Sequence, residues 1–244
     1  MSNPAQPNLA QAIVAGRAVT TRWWWVRHAP VREDGGCIYG QKDLGCDTSD
    51  RVVFEAVGKI LPRDAVWYAS SLKRTHQTAE AIWAAGFPRP AIMPHEPALA
   101  EQNLGQWQGM NRAAFLASRP VGSHWFADIG EPAPGGESFM DLYNRVRGAI
   151  ERINGEYPGR DVIAVAHGGT IKAAIGLALG DQPEKGLAFD IDNCSVTRLD
   201  LIAGSGHRSW RLPMVNQQPW IADASHAAMH QPAGPEVVSE AKLA

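Results

Sequence analysis

Two arginines and two histidines follow three short apolar segments of this chain, and their side chains could bind and attack a phosphate group. Arg27 and His28 end the first segment, Arg74 lies shortly beyond the second, and His167 follows the third. Guanidinium groups bind phosphoryl oxygens through paired N–H donors, and a neutral imidazole can act as a nucleophile. This set of residues therefore indicates phosphoryl transfer, with His28 as the nucleophile and a phosphohistidine as the intermediate.

Cleavage of a phosphomonoester without a metal also needs donors for the phosphoryl oxygens and an acid for the leaving oxygen. We predict that Arg27, Arg74 and His167 bind the phosphate. The backbone N–H groups at Gly168 begin a predicted helix and could bind the same anion. Glu101 is the predicted acid, since a carboxylic acid beside a phosphate can be kept protonated.

The elements that must position these residues are strands that end at one edge of a sheet. Each apolar segment is short, is apolar throughout and is followed by a helical pattern, which is typical of a parallel strand buried on both faces. Ligands bind outside the carboxyl ends of such strands, so we expect the four basic side chains to meet in one pocket. Residues 195–201 and 207–212 predict a hairpin. The predicted fold is a three-layer α/β/α sandwich with a mostly parallel sheet and an antiparallel edge hairpin.

Periodicity and breaker residues predict the other elements. The first helix ends before Pro62, and its predicted apolar face consists of Val52, Val53, Ala56, Val57, Ile60 and Leu61. We predict a sheet that begins at Arg22, a short third strand at Pro90–Met93, a helix around Asn111–Ser118 and another at Thr170–Leu179. A long helix is predicted after the glycine pair at 135–136.

The chain of 244 residues is long enough for one domain with a large core. We expect a flexible lead-in at 1–20, a catalytic domain at 21–212, and a tail at 213–244 that is disordered or packs on a neighbour. Within the domain, 94–134 is interpreted as an insertion that forms a lid over the sheet edge. In the tail, Trp220 and Ile221 are the predicted anchors.

Composition excludes several classes of function. The formal net charge of −2 gives no electrostatic basis for binding nucleic acid or an anionic membrane. The three cysteines have no zinc or CxxC spacing and are predicted to be free thiols in a reducing cytoplasm. We expect no metal and no cofactor, a small phosphorylated metabolite as partner, and no secretory signal or membrane span. The oligomeric state stays open, with a homodimer as one option.

The ordered motifs resemble those of the histidine phosphatase superfamily, which includes the cofactor-dependent phosphoglycerate mutases. The matching segments, in family order, are Arg27-His28-Ala29, Ser70 to Arg74, Glu101 with Gly105 and Gly109, Pro134 to Ser138, and Ala166 to Gly169. The resemblance implies a phosphoglycerate mutase-like fold and is greatest to the small-molecule phosphatase branch, in particular the α-ribazole phosphatases. It also implies that Gln41, in a loop that resembles the phosphate-closing segment of that branch, contacts phosphate.

Some positions depart from the family pattern, and alternatives remain. Ala29 and Pro30 stand where the family usually has Gly-Glu, and Asp34 replaces a frequent Asn, which weakens a mutase interpretation. A phosphatase acting on α-ribazole phosphate or a phosphosugar is predicted, with a mutase or a non-catalytic phosphate-binding module as alternatives. Leu187–Asp192 resembles the motif of magnesium-dependent aspartyl-phosphate phosphatases, but only about fifty residues follow it. The motifs of serine esterases, P-loop NTPases and dinucleotide-binding enzymes are missing.

Overall fold

A mixed five-stranded sheet organises the computed structural model, which describes residues 18–119, 125–204 and 206–222. The strands are β1 (Val19–Arg27), β2 (Ala65–Ala69), β3 (Asp161–Ala166), β4 (Val196–Gly204) and β5 (His207–Gln217). Their order in the sheet is β2-β3-β1-β4-β5. Strands β2, β3 and β1 are parallel, whereas β4 and β5 run antiparallel and form the edge hairpin.

Helices cover both faces of this sheet. They are α1 (Arg51–Ile60), α2 (Lys73–Ala84), α3 (Arg112–Ala117), α4 (Phe139–Glu156), α5 (Gly168–Ala178) and α6 (Pro183–Gly186). The N-terminus of α4 is fixed by a capping box, in which Ser138 and Asp141 each accept a backbone N–H of the other. Asn111 caps α3 in a similar way through the N–H of Ala114. Both starts agree with the sequence prediction.

Alternate residues of β1 pack into separate cores on the two sides of the sheet. The rings of Trp23 and Trp25 are stacked with their centroids 5.0 Å apart, and both lie in the core formed with α4 and α5. Trp24 and Val26 lie in the opposite core, formed with α1 and α2. The strand is therefore buried on both faces, and the three-layer α/β/α sandwich predicted from the apolar segments is confirmed.

Two local predictions are wrong. The segment Pro90–Met93 is not a strand, and the backbone instead forms a single bridge between Ala69 and His95. The buried face of α1 is rotated from the predicted one, because Phe54 is buried while Val52 is 41% exposed. Pro90–Met93 does not pair with the sheet beside it, and the predicted face of α1 left out Phe54, which lies three residues before the buried Val57.

The ends of the sheet also differ from the predicted boundaries. Strand β1 begins at Val19, three residues before the predicted start, and β5 continues to Gln217 beyond the predicted domain end. Trp220 is buried, as an anchor would be, whereas Ile221 is 49% exposed. The rest of the predicted lead-in and tail, residues 1–17 and 223–244, lies outside the described part of the chain.

Three further findings bear on the class of protein. Within the described ranges, no helix has the length and apolar character needed to span a bilayer. All three cysteines are free thiols. The segment Leu187–Asp192 is a turn and an irregular loop rather than a strand, so the structural context of an aspartyl-phosphate nucleophile is missing there.

Candidate functional site

The two predicted catalytic histidines lie side by side because the strands that carry them are neighbours. Arg27, the last residue of β1, is in register with Ala166, the last residue of β3. The next residues along each strand are His28 and His167, and the His28 N–H donates to the Ala166 carbonyl at 2.9 Å. The two imidazole centroids are 5.1 Å apart, and both side chains are buried. Parallel pairing therefore brings together two residues that are far apart in the sequence.

The hydrogen bonds of His28 define which ring nitrogen is free. Its Nδ1 lies 2.7 Å from the carbonyl oxygen of Ala29, which can only accept, so Nδ1 carries the proton. In the neutral ring, Nε2 then keeps its lone pair. The backbone carbonyl of His28 itself accepts from Asn193 Nδ2 at 2.7 Å, which holds this end of β1 in place. The ring therefore has an unprotonated Nε2, the form of imidazole nitrogen that can act as a nucleophile.

His167 is held in the opposite tautomer by two polar neighbours. Arg74 Nε donates to His167 Nδ1 at 3.3 Å, which makes Nδ1 an acceptor. The protonated Nε2 then donates to Ser70 Oγ at 2.7 Å. Ser70 follows the end of β2, so the third strand of the parallel set also contributes to the site. Both nitrogens of His167 are occupied by protein groups in this state.

Arg74 is fully buried, although it lies in the first turn of α2. Its two terminal nitrogens donate to backbone carbonyls of the preceding loop, to Gly40 at 2.7 Å and to Lys42 at 2.8 Å. The guanidinium carbon is 5.1 Å from the Tyr39 ring centroid, and that ring lies edge-on to His28 at 6.4 Å. The loop 39–42 thus fixes the arginine beside both imidazoles.

Arg27 has a buried donor without a partner. One terminal nitrogen donates to the Ile191 carbonyl, but the buried Nε has no hydrogen-bond partner among the described residues. A Cβ placed on Gly168 would be 3.6 Å from this Nε and 4.0 Å from Glu101 Oε2. The start of α5, the free guanidinium donor and the Glu101 carboxylate therefore adjoin each other. An unsatisfied buried donor at this position suits an anionic ligand.

Glu101 is held by two backbone donors, one of which lies at the start of α5. Its Oε1 accepts the N–H of Gln102 at 2.9 Å, and its Oε2 accepts the N–H of Gly169 at 3.2 Å. The Glu101 carbonyl accepts from Arg145 at 2.9 Å and from Gln41 Nε2 at 2.8 Å. The Gln41 side chain thus contacts the backbone carbonyl of Glu101 and helps to hold this residue in place.

A cavity of about 440 Å³ opens above these groups. Its lining includes Arg27, Glu101, Gly168 and Gly169 at one part, with aromatic and charged side chains farther along the wall. Pro30 and Asp34, the residues that depart from the family pattern, also line it. Asp34 is not free, because it forms a 2.6 Å ion pair with Arg112. His28, Arg74 and His167 are buried and are not among the residues that line this cavity.

The electrostatic environment keeps both imidazoles neutral. Burial is the largest cause that lowers the pKa of His28 well below its usual value, and the charges of Arg27 and Arg74 lower it further. Burial likewise lowers the pKa of His167, followed by the charge of Arg74 and the neighbouring His28. A neutral imidazole is the form that can attack phosphorus, so the surroundings favour the nucleophilic state of His28.

These lowered pKa values predict that the free protein loses stability in mild acid. Below about pH 6.5 the unfolded chain protonates both imidazoles while the folded chain does not, so each contributes a loss of up to about 1.4 kcal/mol per pH unit. Urea unfolding between pH 7.5 and 5.5, without phosphate, measures this slope. His167→Asn should reduce the slope, whereas the same change at exposed His207 should leave it unchanged. Equal slopes in all three proteins would contradict the prediction.

Several residues of this site were missed by sequence reasoning. Ser70, Asn193 and Arg145 hold His167, His28 and the Glu101 backbone respectively. Ser70 was visible as part of a motif, but nothing in the sequence indicated that its hydroxyl would meet a histidine. Asn193 and Arg145 carry no local signal, because their partners are more than forty residues away.

Comparisons with known proteins identify relatives of this chain. Residues 23–216 match the family model described as histidine phosphatase superfamily (branch 1). Phosphoglycerate mutase-like protein 4 of Arabidopsis thaliana is 29% identical over 196 residues, which cover 78% of this chain and 79% of that protein. Glucosyl-3-phosphoglycerate phosphatase of Mycobacterium tuberculosis is 30% identical over 72% of this chain and 77% of its own length. The native structure of a mycobacterial glucosyl-3-phosphoglycerate phosphatase superposes with a TM-score of 0.68 at 26% identity, covering 82% of this chain and 99% of that one.

Proposed function

This chain belongs to the histidine phosphatase superfamily, and we propose that it hydrolyses a small phosphomonoester without a metal, through a phosphohistidine at His28. The observation that carries the proposal is a neutral His28 whose pKa is lowered by the charge of Arg27, together with the unpartnered buried Nε of that arginine. Attack on a phosphate requires a nucleophile and a nearby hydrogen-bond donor that can bind the phosphoryl oxygens. Matches to proteins named as phosphatases support the hydrolase class.

In the first proposed step, His28 Nε2 attacks phosphorus and the bond from phosphorus to the ester oxygen breaks. The leaving oxygen takes a proton from the carboxylic acid of Glu101, so the alcohol departs neutral. Arg27 and Arg74 bind the equatorial oxygens and offset the charge of the dianion. The backbone N–H of Gly168, at the start of α5, is placed to contribute a further donor.

His167 must change partners when the phosphate enters. Its Nδ1 accepts from Arg74 Nε, and the two groups cannot both donate to a phosphate while this bond persists. We propose that the dianion draws Arg74 Nε to an oxygen, after which His167 takes a proton from water at Nδ1, donates to a second oxygen, and returns that proton to water when inorganic phosphate leaves. The added negative charge favours the imidazolium form that burial disfavours in the free protein.

In the second step, water attacks the phosphohistidine and the bond between phosphorus and Nε2 breaks. The Glu101 carboxylate takes the proton of the attacking water, and the electron pair returns to His28 Nε2. Inorganic phosphate leaves, and both residues regain their starting protonation states. The two steps thus use one carboxyl group first as an acid and then as a base.

Metal independence is a part of this proposal that the described side chains support. Among the described residues, no group of three or more His, Cys, Asp or Glu side chains could hold a metal ion. Hydrolysis of p-nitrophenyl phosphate in excess EDTA tests metal independence. We expect the same rate with and without the chelator. Loss of activity in EDTA that magnesium restores would contradict the proposal.

The substrates proposed from the sequence are α-ribazole phosphate or a phosphosugar, in a reducing cytoplasm. The cavity of about 440 Å³ has the size of a small-metabolite site. A phosphate-release screen over phosphosugars, nucleotides and α-ribazole phosphate separates these candidates. Isomerisation of a phosphoglycerate without release of phosphate would instead favour the mutase alternative, and binding without turnover would favour the non-catalytic module.

A further inference from the structure

The hydroxyl of Ser70 belongs to a chain of hydrogen bonds that continues from His167 into helix α2. Its Oγ lies 2.7 Å from His167 Nε2 and also accepts the backbone N–H of Leu72 at 3.2 Å. These two donors occupy both lone pairs of the oxygen, so its own proton must point to a third group. The remaining partner that the described residues provide is Thr75 Oγ1, at 3.2 Å. The Ser70 hydroxyl therefore donates to Thr75.

Thr75 can accept this proton because its own proton has a fixed destination. Its Oγ1 lies 2.8 Å from the Leu72 carbonyl oxygen and 3.3 Å from the Ser70 carbonyl oxygen. A carbonyl can only accept, so the Thr75 hydroxyl donates to one of them and keeps its lone pairs. The residue lies in the first turn of α2 and is fully buried, so water does not compete for these bonds. The chain therefore runs in one direction, from His167 through two hydroxyl groups to a backbone carbonyl.

The backbone on both sides of this chain is held by further hydrogen bonds. The Ser70 N–H donates to the Val165 carbonyl at 3.2 Å, and the Ser70 carbonyl accepts from His76 Nε2 at 2.8 Å. The Thr75 N–H donates to the Leu72 carbonyl at 3.0 Å. The two hydroxyl groups thus lie on segments that are fixed by the end of β2 and the start of α2.

The direction of the chain matters when phosphate enters the site. In the proposed function Arg74 Nε leaves His167 Nδ1, so the arginine no longer determines which ring nitrogen is protonated. A free Ser70 proton could then be donated to Nε2, and His167 would release its Nε2 proton to water and take one at Nδ1. A neutral ring of that form offers phosphate an uncharged donor. Because the Ser70 proton is committed to Thr75, Nε2 stays protonated, and a proton gained at Nδ1 produces an imidazolium.

The groups that face His167 all favour a neutral ring. Burial is the largest cause that lowers its pKa, and the further causes, in order, are the neighbouring Arg74, His28, Arg27 and Arg145. The dianion of a bound phosphate opposes them and favours the imidazolium. A neutral tautomer that could donate equally well from Nδ1 would compete with the charged form, so the outcome depends on whether that tautomer has a partner for Nε2.

We infer that Thr75 is a positioning residue of the phosphate site: it accepts the Ser70 hydroxyl proton and thereby keeps Nε2 of His167 protonated, so that an imidazolium and not a neutral tautomer binds the phosphate. This inference rests on the proposed function and deepens it. Thr75 acts through two other residues, since it is not among the residues that line the cavity. The effect on turnover follows because a hydrogen bond from a charged donor is about twice as strong as one from a neutral donor.

Thr75→Val tests the inference, because valine keeps the shape of the side chain and removes the acceptor. The buried Ser70 hydroxyl is then left with His167 Nε2 as its acceptor, since an unpaired buried donor is costly. The probe is excess inorganic phosphate near neutral pH, and the measurement is the nitrogen NMR signals of the isotope-labelled His167 ring, which distinguish an imidazolium from either neutral tautomer. We expect an imidazolium in the wild-type complex and a neutral ring protonated at Nδ1 in the Thr75→Val complex.

Three further variants control this measurement. Thr75→Ser keeps the hydroxyl and should restore the imidazolium signals. Thr75→Cys offers only a weak acceptor and should give the neutral ring, so the test does not depend on the folding of one variant. Thr21→Val removes a buried hydroxyl that accepts from the Gly159 N–H at the opposite end of β1, and it should leave the imidazolium unchanged.

The kinetic effect should follow the same pattern. We expect kcat/KM for glycerol 3-phosphate to fall by about tenfold in Thr75→Val, as for exchange of a charge-assisted hydrogen bond for a neutral one, and to be unchanged in Thr21→Val. An imidazolium in the Thr75→Val complex would overturn the inference whatever the change in rate, and would assign the threonine a structural role. A neutral His167 in the wild-type complex would also overturn it, while release of phosphate from p-nitrophenyl phosphate would show that the proposed hydrolysis still holds.

Discussion

Replacement of His28 by alanine is expected to lower kcat/KM for p-nitrophenyl phosphate by about 10⁴-fold or more, because it removes the atom that attacks phosphorus. The other phosphate-binding groups remain, so binding of inorganic phosphate should weaken far less than turnover. Initial rates of phosphate release and the Kd of phosphate together measure the difference. A residual rate within tenfold of the wild type would contradict the nucleophile assignment.

The stability of the His28 variant needs its own control, because the residue is buried and donates to the Ala29 carbonyl. Removing a buried side chain and one hydrogen-bond donor costs about 1–4 kcal/mol. His28→Asn keeps an amide donor near the same carbonyl and should unfold closer to the wild type, yet should be equally inactive. An acid-labile phosphoenzyme, trapped from the wild type with labelled substrate and absent from both variants, identifies the intermediate directly.

The layout of the sheet and the convergence of its strand ends could be predicted from the sequence. Each short apolar run that is followed by a helical pattern, such as 23–26, favours a strand buried on both faces, and parallel strands bring their carboxyl ends to one edge. His28 and His167 directly follow two neighbouring strands of this kind. They are therefore adjacent for a topological reason. No knowledge of side-chain conformation was needed to expect this.

The partners of each side chain could not be predicted in the same way. Gln41 is predicted to contact phosphate, and nothing in the sequence indicated that its amide would donate to the Glu101 carbonyl. Lys172 lies within the predicted helix 170–179, and no local pattern indicated that its ammonium would lie 5.2 Å from the Trp125 ring. Such contacts depend on loop paths and rotamers, which local sequence patterns do not encode.

The predicted secondary structure of one short segment without a clear period was wrong for a related reason. Pro90–Met93 has apolar residues between prolines, but only one bridge, from Ala69 to His95, pairs with the sheet beside it. A strand needs a neighbour to pair with. The segment that follows Pro90–Met93 pairs with the edge strand β2 only at the Ala69–His95 bridge and then turns away from the sheet. Tertiary context therefore decided the conformation of this segment, and local propensity did not.

Replacement of Glu101 by glutamine is expected to affect substrates according to their leaving groups. An alkyl ester releases a basic alkoxide that needs a proton, so we expect its kcat/KM to fall by about 10²–10⁴-fold. p-Nitrophenolate is a weak base and leaves without a proton, so its ester should lose only a small factor. Glutamine keeps the size of the side chain and an oxygen that can accept from Gly169 or Gln102. Equal losses for both esters would contradict the role of Glu101 as the acid.

A second variant displaces Glu101 without changing its chemistry, which separates the position of the carboxyl group from its ability to donate a proton. A Cβ on Gly169 would lie 2.4 Å from Glu101 Oε1 and 3.1 Å from Leu142 Cδ2, so Gly169→Ala must push the carboxylate aside. If Glu101 is the acid, this variant should reproduce the selective loss on alkyl esters. The matched change Gly148→Ala meets no atom within 4 Å and should leave both rates unchanged while stabilising α4 by about 0.5–1 kcal/mol. A Gly169→Ala enzyme that keeps full alkyl-ester activity would show that proton transfer does not depend on the observed position of Glu101.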